Sequence, residues 1–346
     1  MSSNGQAKAE LSDQDLELIS LLQWAPRITW GEAAEILDAH PTTLAGRWEK
    51  LRSSGAAWIT AQVNLNDPRN LLSFQEVSCG TQQWERVVRE LVAMPEVLSV
   101  DAFGREPDLG LTVVSRDLQS LSRITEEKIS RVQGVVKIHN MISTKLHRAG
   151  DGWRLNRLSD EQRRAAQAWA RAERESLPVS STPLSEDHRP VIEALMLDGR
   201  ASAAEIARTT GLHPATARRY LHKVLASQLL SIRCDLIQRF SGMPITAQWF
   251  ARLDANQHEA AAEALNRDPR TRVVTSITGR ANLMVVMWLR SVGDILEAER
   301  AIQSAVPGMD IQETVVSLRP IKRMGWVLDT EGHVGQKFIS PRLHLS

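Results

Sequence analysis

Apolar positions first recur at helical spacing near the N-terminus, where Leu16, Ile19 and Leu22 follow Ser12, a residue suited to cap a helix. Thr29 and Glu32 make a capping-box pattern that predicts a second helix over Trp30–Leu37. After a break at Asp38–Ala39, Pro41 stands where the first turn of a third helix begins, a place where its missing N–H would be unpaired anyway. That helix runs through Trp48 and Leu51 and ends near Gly55. The pattern then alternates: Ala57–Val63 reads as a strand, a wing beside the helices. Beyond it the order strand, helix, strand, strand, helix, strand is read at 71–79, 82–93, 96–103, 109–115, 117–130 and 135–145, the ferredoxin-like split βαβ arrangement.

The pattern occurs twice. Shifting the chain by 173 residues lays Arg27–Ile59 over Arg200–Ile232 without a gap, and nine of those 33 positions are identical, among them Arg27/Arg200, Glu32/Glu205, His40/His213 and Pro41/Pro214. The second copy repeats the capping box at Ser202 and Glu205, places Gly211 in the turn, and starts its third helix at Pro214. Its wing is read at Leu230–Ile237, and its sandwich at 245–253, 257–266, 270–278, 282–290, 293–304 and 309–318. The expected class is therefore α+β: winged helix-turn-helix units at 11–64 and 184–239, each followed by a ferredoxin-like domain, at 70–148 and 243–321. Between the copies, 149–183 reads as a helical spacer, capped by Ser159 and Gln162, that ends in the stiff linker Leu177–Pro183; 322–346 reads as a tail.

Composition narrows the class. With 42% hydrophobic and 24% charged residues the chain is globular, not disordered or collagenous. No apolar run is long enough to span a membrane, and the opening MSSNGQAKAE lacks the apolar core of a secretory leader. Cys79 and Cys234 have no partner at metal-ligand spacing, so a reduced cytoplasmic protein without metal or cofactor is expected. No Walker loop, G-x-G-x-x-G, G-x-S-x-G or H-E-x-x-H occurs, so no intrinsic catalysis is expected.

A winged helix-turn-helix followed by βαββαβ resembles the leucine-responsive and asparagine-synthase regulators (Lrp/AsnC), here in a double-length tandem form. The resemblance rests on Leu11-Ser-Asp-Gln-Asp15, on Arg27-Ile-Thr and Thr43-Leu-Ala-Gly-Arg47-Trp in the first copy, and on Asp198-Gly-Arg-Ala, Glu205-Ile-Ala and Thr278-Gly-Arg-Ala-Asn282-Leu in the second. It covers roughly 11–148 and 184–321. Tyr220 replaces the arginine of the Arg47 position, and Asn282 replaces an aspartate. The resemblance implies a transcription regulator that binds double-stranded DNA, senses a small effector such as an amino acid, and assembles as a homo-oligomer, a dimer or tetramer of chains.

Carried onto this sequence, the DNA-reading residues are Thr42, Thr43, Arg47 and Lys50 in the first copy, and Ala215, Thr216, Arg218, Arg219, Tyr220, His222 and Lys223 in the second. Local charge predicts the second copy to be the stronger reader. Residues 27–64 hold four basic and four acidic side chains, whereas 200–237 hold six basic and two acidic. Arg218 and Arg219 could instead form a solvated helix face, Tyr220 could pack its ring on the domain, and His40 and His213 read as helix caps. Effector contacts fall on Gly104, Arg105 and Asp108 and on Thr278, Gly279, Arg280 and Asn282. Glycine and Asp/Asn are also what any tight turn prefers. Two other functions stay open. One is a sirohaem-decarboxylase-like enzyme of the same fold, against which the absence of histidine from 96–103 and 270–278 counts. The other is a scaffold with one degenerate DNA-binding unit, for which the exposed-looking Trp48 and Trp58 argue.

Overall fold

The computed structural model describes residues 11–177, 183–343 and 345, so most of the predicted linker, at 178–182, lies outside the described residues. The first helix-turn-helix is α1 (Asp13–Trp24), α2 (Trp30–Leu37) and α3 (Pro41–Ser53). Capping boxes at Ser12/Asp15 and Thr29/Glu32 start the first two helices, satisfying backbone N–H groups that a helix end leaves unpaired. Leu44, Trp48 and Leu51 turn inward from α3 onto Leu18, Ile19 and Leu22 of α1. Strand β1 (Ala57–Val63) follows.

The first sandwich domain consists of β2 (Leu71–Cys79), α4 (Trp84–Ala93), β3 (Val97–Phe103), β4 (Leu109–Ser115), α5 (Leu118–Arg123, continued by a π-helical turn) and β5 (Val135–Arg148). Helix α6 (Asp160–Ser176) leads to the second helix-turn-helix, α7 (Arg189–Leu197), α8 (Ala203–Thr210) and α9 (Pro214–Ala226), and then to β6 (Leu230–Leu236). The second sandwich is β7 (Ile245–Arg252), α10 (His258–Asn266), β8 (Thr271–Ile277), β9 (Leu283–Leu289), α11 (Asp294–Ala305) and β10 (Asp310–Arg323).

The strands read as wings do not fold back on their own units. Each copy supplies a single strand there, and a lone strand leaves its N–H and C=O groups unpaired. They pair with each other instead: β1 and β6 form an antiparallel ribbon in which Thr60 faces Arg233, its own equivalent at the repeat offset. Side chains from the ribbon enter both helical cores. Ala57, Ile59, Cys234 and Leu236 pack in the first, and Ala61 and Val63 in the second. Gly199 lets the second unit approach the ribbon, since a Cβ there would lie 2.8 Å from Ile59 Cγ2 and 3.0 Å from Ile232 Cγ2. Two arginines complete a reciprocal clasp. Arg27 donates to the carbonyls of Gly199 and Ala201, while Arg200 donates to those of Pro26 and Ile28, both at 2.7 Å.

The sandwiches join in the same fashion. Each last strand is 14 residues long, well beyond an ordinary strand. The first part of β5 pairs with β2 and its remainder with β8; likewise β10 pairs first with β7 and then with β3. Eight strands thus close into a ring, and helices cover each module's outer face over its own core. The chain contains its own two-fold pairing.

Three further expectations are corrected. The segment read as a spacer belongs to the first helix-turn-helix, because Trp153, Leu155, Leu158 and Ala166 pack in that core. The tail is structured: β11 (Trp326–Leu328) and β12 (Val334–Phe338) extend the sheet from β10, and Leu343 and Leu345 fill the second helical core. Trp48 and Trp58 are each only 6% exposed, Trp48 within the first helical core, so neither offers an indole to a protein partner.

Candidate functional site

The two third helices are built alike and present different faces. Pro41 and Pro214 start them, and His40 and His213 cap them: each Nδ1 accepts from a backbone N–H, that of Thr42 at 3.4 Å and of Ala215 at 3.3 Å. On α3, Thr42 and Thr43 are exposed, and Thr42 shares a hydrogen bond with the His40 ring at 2.8 Å. Arg47 is half-buried and already paired, with Asp15 at 3.1 Å and with Gln14. Arg52 pairs with Glu49 at 3.0 Å. Lys50 is the exposed cation of this face without a hydrogen-bonded or ion-paired partner among the described residues.

On α9 the balance reverses. Ala215, Arg218, Arg219 and His222 are exposed, and neither arginine meets a carboxylate among the described residues. Thr216 and Lys223 are half-buried. The Tyr220 ring packs inward against His188, 4.5 Å between centroids, with Arg219 5.2 Å over its face. The helix therefore offers two free guanidinium groups and an imidazole, with the aromatic ring acting as their support.

A second site lies where the sandwiches meet. A cavity of about 770 Å³ is lined by both copies. Strand registers make Glu76 the equivalent of Phe250, since each pairs with the second residue of the strand after its turn, Gly110 and Met284 respectively. The cavity takes equivalent positions from each copy, Glu76, Glu106 and His139 from the first and Phe250, Arg280 and Glu313 from the second, and so sits on the internal two-fold axis with unlike walls. Arg105 bridges the copies: it donates to Glu76 at 2.8 Å and its Nε lies 2.8 Å from Glu313. His139 Nδ1 stands 3.4 Å from the other Glu76 oxygen. Lys137 and Arg280 line the same cavity with their charged ends unpaired among the described residues.

The other turn residues have backbone work. Asp108 accepts from the Cys79 N–H at 2.8 Å, and burial together with that carboxylate pushes the Cys79 thiol up to about 11. Asn282 spends both ends of its amide on Leu253, at 3.0 and 2.7 Å. Thr278 Oγ1 accepts from Ile142 N–H at 3.0 Å, which ties its turn to β5. Gly104 fits under Leu318, with 3.3 Å from a built Cβ to the leucine, and Gly279 has a φ of +127°. His139, Lys137 and Glu313 were not singled out from the sequence. They lie on the last strand of each module, and only the closure of the ring brings them to the turns. Among the described residues no three His, Cys, Asp or Glu side chains converge as metal ligands, and no helix is long and apolar enough to cross a membrane.

This architecture, a helix-turn-helix joined to a ferredoxin-like domain and doubled within one chain, defines the class. Residues 73–150 match the Lrp/AsnC ligand binding domain. The chain is homologous to the helix-turn-helix transcriptional regulators of the Lrp/AsnC family, at roughly double the length of their single-module members. It is 26% identical over 145 residues, 41% of this chain and 92% of the relative, to the uncharacterised HTH-type transcriptional regulator PH0140 of Pyrococcus horikoshii. It is 26% identical over 140 residues, 40% and 92% respectively, to the HTH-type transcriptional regulator FL11 of Pyrococcus furiosus. Among solved structures, the siroheme decarboxylase NirDL covers 90% of this chain and 92% of its own, with a TM-score of 0.58 and 14% identity, a likeness of fold.

Proposed function

We propose that the protein is a sequence-specific DNA-binding transcription regulator with two unlike helix-turn-helix units, of which the second binds DNA more strongly. The observation that carries this is the exposed, unpaired pair Arg218 and Arg219 at the start of α9, set against Arg47 committed to Asp15 on α3. Free guanidinium groups neutralise phosphates and reach guanine edges, and a good base contact is worth about 1–3 kcal/mol. A guanidinium already paired with a carboxylate must give up that partner first.

Electrophoretic shifts on genomic fragments retained by the protein test the reading. Arg218→Ala with Arg219→Ala should abolish specific binding and flatten its salt dependence, while Arg47→Ala or Lys50→Ala should cost less than about tenfold. Equal losses from the two helices would defeat the asymmetry, and no retained DNA would favour a scaffold.

The same proposal gives the axial cavity a small effector, an amino acid, whose carboxylate meets Lys137 and Arg280. It also keeps the homo-oligomer of chains and a cytoplasmic location. Thermal shifts against the twenty amino acids should single out one or a few, and Arg280→Ala should remove the response; no response from any would leave the cavity without this role. The runner-up reading takes its substrate from NirDL and has His139 in the cavity as its support. Release of carbon dioxide from sirohaem by the purified protein would establish it in place of the regulator.

A further inference from the structure

Behind Met141 and Phe250, which line both spaces, a smaller cavity of about 160 Å³ lies within the closed ring, lined by strands of both copies. One part of its wall is apolar, with Phe103, Met284 and Val286; another carries Arg272, Arg323 and Trp288. Arg272 comes from β8 and is only 7% exposed. Its guanidinium stacks 3.8 Å from the Trp288 ring centroid, and that of Arg323, from β10, approaches the same ring at 5.5 Å.

Neither guanidinium has a hydrogen-bonded or ion-paired partner among the described residues. Among the carboxylates nearby, Asp101 lies on the chamber wall and its charge favours the protonated form of Arg323, as those of Asp235 and Asp151 favour that of Arg272, but none hydrogen-bonds either guanidinium. Asp101 accepts from Ser317 at 3.2 Å, Glu76 holds Arg105, and Asp235 holds Arg233 and accepts from Gln62 at 2.9 Å. A Cβ built on Gly150 would lie 3.4 Å from Arg272 Nη2 and 3.8 Å from Arg233 Nη1, so two cationic heads converge beside that glycine. Burial, and then Arg233 and Arg323, disfavour the charged form of Arg272. Arginine nonetheless keeps its proton in proteins. An indole face offsets part of the cost of a buried cation, and a carboxylate offsets far more, because it takes two parallel N–H donors from the planar fork.

We propose that this chamber binds a small planar carboxylate, with the carboxylate on Arg272 and Arg323 and the ring or chain against Phe103, Met284 and Val286. A cavity of about 150 Å³ admits benzene, so an aromatic ring fits here, with its carboxylate turned to the guanidinium wall. This site is separate from the axial cavity, needs no ammonium group, and does not rest on the DNA-binding reading. It lies beside Arg233, the residue at the centre of the β1–β6 ribbon.

Calorimetric titration of the full chain with sodium benzoate, against benzamide as the neutral shape and sodium chloride as the ionic control, tests the proposal without any variant. Benzoate should bind and raise the melting temperature as a ligand of the folded state does, whereas benzamide and chloride should not. R272Q and R323Q should each weaken benzoate binding at least about tenfold, the scale of a lost charge-assisted hydrogen bond. R290Q, which alters an exposed arginine outside both cavities, should leave binding unchanged. Binding of benzamide as tight as benzoate, no benzoate binding at all, or full binding by folded R272Q and R323Q would each overturn it.

Discussion

Arg200 and Gly199 are neighbours with opposite tasks, and both concern the other copy. Arg200 spends its guanidinium on two carbonyls of the first helix-turn-helix and stacks 4.2 Å over Trp30, while Gly199 contributes only the absence of a side chain. Gly199→Ala would force a methyl to 2.8 Å from Ile59 Cγ2 and 3.2 Å from the Thr60 carbonyl carbon. Neither a β-branched methyl in a core nor a paired strand backbone can step aside cheaply, so the substitution should cost about 1–3 kcal/mol. Thermal unfolding should show the loss as a lower midpoint, and an unchanged midpoint would mean that the ribbon is looser than described. The identity of Arg27 and Arg200 is plain in the sequence, yet their partners are not. An arginine that repeats at a fixed offset looks like part of each unit's own signature, and nothing local shows that each one reaches across to the other unit.

At the level of elements the sequence is most readable where a pattern is closed within a short segment. The N-cap Ser12 of α1, the capping boxes of α2 and α8 and the prolines opening α3 and α9 declare those helices directly, because cap and helix lie within a few residues. What stays hidden is pairing. The alternation of Ala57–Val63 predicts a strand but carries no mark of its partner, which lies 173 residues away at the centre of the ribbon. The last strands are read short for a related reason: beyond Ser143 and Ser317 they leave their own sheet, and their neighbours there come from the other copy. The candidate sites divide along the same line. The charge on α9 is legible because a recognition helix is a local object. The Arg105–Glu313 bridge and the Arg272–Arg323 chamber are not, since each needs two strands that only the closed ring brings together.

For the whole molecule, internal pairing makes one chain do what two identical chains would otherwise do, and it frees the two halves to differ. A fragment ending at residue 177 would expose the edges of β3 and β5 and the unpaired face of β1. Exposed edges recruit partners, so such a fragment should self-associate, as dimers or larger species by light scattering. A monodisperse monomer with intact sheet signals would contradict the account. The closed ring also sets an order of events during synthesis. Strand β3 finds its outer neighbour only in the second part of β10, at Ser317–Lys322, more than two hundred residues later. At roughly 5–20 residues per second, the first sandwich therefore leaves the ribosome on the order of ten seconds or more before its open edges can be covered. The architecture that removes every free edge from the finished ring thus leaves those edges open on the nascent chain through that interval, and places the burden of its solubility on the period before the last strand arrives.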